Sequence, residues 1–218
     1  MTPYYQEAGI TIYCGDCREI LPSLPKVDLV LTDPPYGIGE AAGKNKSRSK
    51  MAVAKDYGNS NWDDQTPPEW IWGLIAEKAK WQIVFGGNYF PLPPSKCWLV
   101  WDKDNGTSDF ADCELAWTNL NKAVRMLRWR WAGMLQEEMN RKEFRDHPTQ
   151  KPVPVMKWAL TQAPDDIKTV IDPFMGSGTT LVACKQADLS AIGIEIEERY
   201  CEIAVKRLAQ GVMFGNED

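Results

Sequence analysis

Asp33-Pro34-Pro35-Tyr36 puts a carboxylate, two backbone-locking rings and an aromatic plane into four consecutive residues. Such a set can hold a flat ring that carries an exocyclic amine. The Asp33 carboxylate accepts one N–H of the amine. The Pro34 carbonyl accepts the other, and it stays in place because proline fixes φ. Tyr36 can stack on the ring face. A proline-rich exit from any strand has the same composition, so a partner motif has to decide what the tetrapeptide does.

That partner lies far along the chain. Thr169-Val170-Ile171-Asp172 reads as a strand, Pro173-Phe174-Met175-Gly176-Ser177-Gly178 as a glycine turn, and Thr179 onward as a helix. Ser190–Ile196 reads as the next strand, with Glu195 near its end. Glycines let a ligand approach the backbone, and an acid about 20 residues on can hold ribose hydroxyls. The dinucleotide fingerprint GxGxxG lacks its third glycine here, and no P-loop GK[ST] is present. A cofactor without a pyrophosphate fits better, and S-adenosylmethionine is the one expected. A bare GxG also opens ordinary helices; the placement of Glu195 favours the cofactor.

Both motifs need strands to carry them. Val27–Leu31 is an apolar run that predicts a buried strand ending at Asp33. Residues 81–85, 97–101 and 114–117 predict further strands, 68–80 a helix, and Glu197–Leu208 another helix. Strand–helix–strand units of this kind build parallel sheets with right-handed crossovers. Ligands bind such sheets beyond the strands' carboxyl ends, at the topological switch point. Asp33 and Gly176 would share one cleft if their strands are neighbours.

Composition sets the frame. The 218 residues suffice for one domain with a substantial core. Hydrophobic content is 44% and charged content 25%, as in soluble globular proteins. No apolar stretch approaches the roughly 18 residues of a membrane span, and no signal peptide is visible at Met1–Tyr5, so a cytoplasmic location is expected. Cys14 and Cys17 form a lone CxxC without a second pair. With His147 as the single histidine, buried free thiols are expected rather than a metal centre.

The chain resembles the amino-directed DNA methyltransferases in their beta-type, permuted order. "DPPY" comes early and "DPFMGSGTT" late, with further matches at "CGDCREILPSLP", "VFGGNYF", "VWDKDNG", "ADCELAWTN", "HPTQKPVPVM" and "GIEIEERY". The resemblance implies a single α/β domain over residues 1–218. Its Rossmann-like sheet would have about seven mostly parallel strands, one edge strand reversed and helices on both faces. It implies catalytic roles for Asp33, Pro34, Pro35 and Tyr36. It implies cofactor contacts from Asp172, Pro173, Phe174, Gly176, Ser177, Gly178, Thr179 and Glu195, from Asp16 near the adenine, and from Cys17 and Asp33. In "HPTQKP", Thr149 and Lys151 would flank the cofactor's methionine end.

The amine lone pair of adenine or cytosine is delocalised into the ring. Fixed acceptors would favour a tetrahedral nitrogen and direct in-line transfer. No Pro-Cys dipeptide occurs, which disfavours attack on a ring carbon. The base would have to leave the duplex at a cost of a few kcal/mol, offset by stacking worth about 1–3 kcal/mol.

The net charge of −5 does not favour DNA, so local basic segments matter. Lys44, Lys46, Arg48 and Lys50 lie in a loop over residues 37–60 that is expected to be mobile and to close on the target strand. Arg125, Arg128 and Arg130 lie in a short recognition segment over 121–147. If Arg128-Trp129-Arg130-Trp131 is a strand, the arginines share one face and the tryptophans the other. DNA contact and burial at a sheet edge both fit. The resemblance implies a larger recognition region than this segment offers, so a homodimer on double-stranded DNA is expected. In the family that the chain resembles "DPPY" is usual for adenine, so the resemblance implies adenine N6, with cytosine N4 as the alternative and an inactive DNA-binding subunit as a reading of another class.

Overall fold

The computed structural model describes residues 2–37, 66–106, 111–132, 135–143 and 150–210. Strands β1 (Tyr5–Glu7) and β2 (Ile10–Cys14) form a hairpin. Its two-residue turn, Ala8-Gly9, has positive φ at both positions, the geometry that matches strand twist in a tight hairpin. Helix α1 (Cys17–Ile20), strand β3 (Val27–Thr32), helix α2 (Trp70–Lys78) and strand β4 (Ala79–Phe85) follow. Next come β5 (Trp98–Asp102), β6 (Cys113–Thr118), β7 (Arg125–Arg128), and the short pair β8 (Trp131–Ala132) and β9 (Leu135–Gln136). The chain then builds α3 (Val153–Leu160), β10 (Thr169–Asp172), α4 (Thr179–Gln186), β11 (Ser190–Glu195) and α5 (Glu198–Gln210).

Among the described residues the main sheet has nine strands in the order β1-β2-β11-β10-β3-β4-β6-β5-β7. The expected set of seven runs from β2 to β5, and β1 and β7 extend it at the two edges. Strands β2, β11, β10, β3 and β4 are mutually parallel. The reversed strand expected at the edge lies inside the sheet instead. β6 pairs antiparallel with both β4 and β5, because β5 and β6 are consecutive antiparallel partners and the later one inserts next to β4. The antiparallel β1 occupies one edge.

Alternation along the strands explains the two faces. Leu29 and Leu31 of β3 join α3, α4 and α5 in one core through Val155, Ala159, Leu181, Ala204 and Leu208. Val30, on the opposite face, joins Ile20 of α1 and Ile71, Trp72 and Ile75 of α2. With both faces covered, β3 is apolar almost without interruption, as parallel strands are. From β10 the chain passes through α4 to β11 on one side, and from β3 through α2 to β4 on the other. The direction of winding therefore changes between β10 and β3. No helix among the described residues is long and apolar enough to cross a membrane.

Candidate active site

The carboxyl ends of β3 and β10 are side by side. Val170 and Ile171 pair in parallel register with Leu29 and Val30. One step further, the Thr32 hydroxyl donates to Asp172 Oδ1 at 2.6 Å. Asp172 Oδ1 also accepts from the Phe174 N–H at 3.1 Å, and Oδ2 accepts from the Thr180 hydroxyl at 2.5 Å. Burial pushes this carboxyl up to about 6 despite those donors. Asp172 was expected to touch the cofactor. It is buried and ties β3, β10 and the first turn of α4 together.

Asp33 leaves this junction into a cluster of charges and rings. Tyr36 Oη donates to Asp33 Oδ1 at 2.6 Å. Lys151 Nζ donates to Asp33 Oδ2 at 2.6 Å and to Tyr36 Oη at 3.2 Å. The same ammonium pairs with Glu114 Oε2 at 3.0 Å, and Glu114 Oε1 pairs with Lys103 at 2.5 Å. Burial raises the Asp33 carboxyl, against the pull of Lys151. A carboxylate has about four lone-pair sites, so Asp33 keeps acceptor capacity for an amine. Lys151, expected beside the methionine end of a cofactor, is a buried partner of Asp33 and Glu114.

The Tyr36 ring is stacked on Tyr89, with centroids 4.9 Å apart and planes 15° from parallel. Phe90 meets it edge-on at 6.1 Å. Gly86, at φ +66°, makes the space: a Cβ there would lie 2.1 Å from Tyr36 Cε1. Tyr36 thus has an aromatic neighbour within the protein, in addition to any base it would stack on.

The glycine turn divides into two roles. At Gly176 (φ +51°) a Cβ would meet nothing within 4 Å, whereas at Gly178 (φ +78°) it would lie 2.7 Å from Ala204 Cβ of α5. Gly176 faces open space and Gly178 allows close helix packing. Glu195, at the end of β11, accepts from the Gly176 N–H at 3.0 Å and the Glu197 N–H at 2.8 Å. Burial nevertheless pushes it up to about 7. An open glycine face beside a carboxylate that gains from further donors fits a ribose-bearing cofactor.

The other residues expected to touch the cofactor have these surroundings. Ser177 and Thr179 are buried behind the turn, where Arg207 Nη1 donates to the Ser177 carbonyl at 2.8 Å and to both hydroxyls at 3.0 Å. Pro173 is buried, and Phe174 packs on the α1–α2 face of the sheet. Asp16 caps α1 by accepting the Arg18 N–H at 2.8 Å, and it pairs with the Arg18 guanidinium. Cys17 is half-buried, with its thiol pushed up to about 12 by burial. Cys14 and Cys113 are exposed, unlike the buried thiols expected.

Of the basic residues, Arg128 and Arg130 are exposed but already paired with Asp102 and Asp104, at 2.8 and 3.0 Å from Nε. Trp129 and Trp131 turn into the core, although β7 ends at Arg128. Arg125 is exposed on the edge strand. Lys44, Lys46, Arg48, Lys50 and Thr149 lie outside the described residues. Glu114, Lys103, Tyr89, Thr32 and Arg207 had no expected role. "ADCELAWTN", "VWDKDNG" and "VFGGNYF" contain the first three, but only the fold shows where they meet.

Comparison with known proteins bears on the fold and the family. The N6_N4 methylase family model, described as DNA methylase, matches residues 59–206. The type II methyltransferase M2.DpnII of Streptococcus pneumoniae is 37% identical, over 94% of this chain and 92% of its own. M2.LlaDCHI of Lactococcus lactis subsp. cremoris is 24% identical over 98% and 94%. The M1.HpyAVI–SAM complex superposes with a TM-score of 0.56 at 26% identity, covering 91% of this chain and 99% of that one. The cytosine-N4-specific PvuII DNA methyltransferase shares the fold, with a TM-score of 0.58 at 17% identity over 94% and 88% of the two chains. With the family model spanning more than half of its length, the chain belongs to the N6/N4 DNA methylase family.

Proposed function

We propose that this DNA methylase transfers a methyl group from S-adenosylmethionine to the exocyclic N6 amine of an adenine turned out of double-stranded DNA. The observation that carries the reading is the junction of β3 and β10, where Thr32 and Asp172 hold the Asp33 tetrapeptide beside the glycine turn. When bound, S-adenosylmethionine supplies an electrophilic methyl on a sulfonium. Gly176 leaves its face clear for it, and Glu195 accepts from ribose hydroxyls. Asp16 and Cys17, at the head of α1, border the adenine end.

Asp33 and the Pro34 carbonyl accept the two N–H groups of the amine and turn its lone pair toward the methyl. Tyr36 and Lys151 fix the Asp33 oxygens so that little reorganisation is needed in the transition state. The nitrogen becomes cationic and must lose a proton. Asp33, which burial shifts toward its neutral form, takes that proton at a carboxylate oxygen and passes it to solvent as product leaves. Tyr36, Tyr89 and Phe90 form the aromatic wall against which the base rests.

Lys44, Lys46, Arg48 and Lys50, with Arg125, Arg128 and Arg130, would neutralise phosphates. The short segment 121–147 favours a second copy of the chain sharing the DNA. The same acceptor pair would serve N4 of cytosine, the base that the PvuII enzyme's name specifies for that protein.

The test is radiolabelled methyl transfer to unmethylated DNA, followed by nucleoside mass spectrometry. Methyladenine is expected in wild type, and none in Asp33→Ala with cofactor binding retained. Methylcytosine would overturn the adenine assignment. Wild-type rates in Asp33→Ala would overturn the catalytic one.

A further inference from the structure

We infer that Glu114, held by Lys103, is a positioning residue for methyl transfer: it anchors Lys151, whose ammonium in turn fixes the Asp33 carboxylate at the reacting amine. The inference rests on the reading of Asp33 as the acceptor for that amine. Its basis is a continuous chain of charges, Lys103–Glu114–Lys151–Asp33, with links of 2.5, 3.0 and 2.6 Å. The Lys151 side chain is 5% exposed and those of Asp33 and Glu114 about a fifth, so the chain runs largely out of water.

The backbone explains why these groups meet. Glu114 lies on the reversed strand β6, opposite Trp101 of β5. Lys103 follows directly after β5, bonds its N–H to the Asp112 carbonyl at 2.9 Å, and carries its ammonium 5.2 Å from the Trp101 ring centroid. Insertion of β6 beside β4 thus brings a second carboxylate to Lys151. A lysine stem has free rotors, and one carboxylate would leave its ammonium able to swing. Two carboxylates and the Tyr36 hydroxyl define one position for it.

The electrostatics agree. Burial raises the Glu114 carboxyl, but the ammoniums of Lys151 and Lys103 outweigh this and hold it down at about 2, so it stays ionised. Burial disfavours the Lys151 ammonium, and the two carboxylates more than restore it. Among the described residues, the charged and titratable groups that act on Asp33 are Lys151, Glu114, Tyr36 and Asp172. Removing the negative charge of Glu114 leaves Lys151 to pull on Asp33 alone.

The experiment follows Asp33 directly, by carboxyl NMR of ¹³C-aspartate-labelled protein, with the resonance assigned by its absence in Asp33→Asn. In Glu114→Gln the Asp33 titration should move about one pH unit lower than in wild type. In Lys103→Gln, a milder change at the outer end of the chain, it should move higher. Single-turnover transfer in Glu114→Gln should fall at least tenfold in rate, roughly the worth of a misaligned acceptor, with DNA affinity unchanged. An Asp33 titration that coincides in all three proteins would overturn the inference. So would a full transfer rate in Glu114→Gln. If wild type transfers no methyl to DNA, the functional reading fails, while the NMR shifts still decide whether the charge chain controls Asp33.

Discussion

The hydroxyl of Thr32 reaches across 2.6 Å to the carboxylate of Asp172, joining residues 140 positions apart at the ends of adjacent parallel strands. This bond lies where the sheet changes its direction of winding, and both functional motifs begin within a residue of it.

Removing that hydroxyl should cost stability in a pH-dependent way. Burial holds the Asp172 carboxyl at about 6 in the fold against an ordinary 3.8, so the native state holds the proton more tightly. Stability therefore falls as pH rises from about 4 to about 6. Thr32→Val removes a donor that favours the ionised form and extends the loss above pH 6. Urea denaturation should show a cost of about 1–3 kcal/mol at pH 8, and a smaller one at pH 5.

Cofactor affinity should depend on Glu195 with the opposite slope. Its carboxyl is pushed up to about 7 by burial, and ribose hydroxyls donate best to the ionised form. Isothermal titration with S-adenosylmethionine should show affinity rising as pH increases through about 7. In Glu195→Gln the dependence should flatten and the affinity should fall.

The two glycines of the turn should separate binding from folding. Gly176→Ala places a methyl in open space at positive φ, which costs about 1–2 kcal/mol of backbone strain. That methyl also intrudes on the cofactor, so affinity should drop more than stability. Gly178→Ala collides with Ala204 of α5, and melting temperature should suffer most.

Tyr89→Ala removes the ring stacked on Tyr36. An aromatic pair contributes about 0.5–1.5 kcal/mol, so kcat/KM for DNA should fall roughly two- to tenfold while cofactor affinity holds. Flipping of a 2-aminopurine target, read by fluorescence, should weaken in parallel.

The local half of this site was legible in the sequence. The run before Asp33, the turn at Gly176 and the acid at Glu195 each announce themselves through apolar strands that stop at a polar motif. The non-local half was not. Glu114 reads as one acid in an ordinary strand segment, and Lys103 as one base in a loop. Nothing in their spacing reveals that β6 runs backwards beside β4. The resemblance marked Ser177 and Thr179 as cofactor contacts, and their spacing gave no sign that Arg207 of α5 would bond to both hydroxyls. Arg128-Trp129-Arg130-Trp131 kept the alternation expected of it, with Asp102 and Asp104 facing the arginines.

The most direct measurement is a crystal structure with a short DNA duplex and sinefungin in place of the methyl donor. The account predicts the exocyclic nitrogen of a flipped adenine about 2.6–3.2 Å from an Asp33 carboxylate oxygen, with the analogue against Gly176 and Glu195. An extruded base whose amine faces away from Asp33, or an analogue bound apart from the glycine turn, would contradict it.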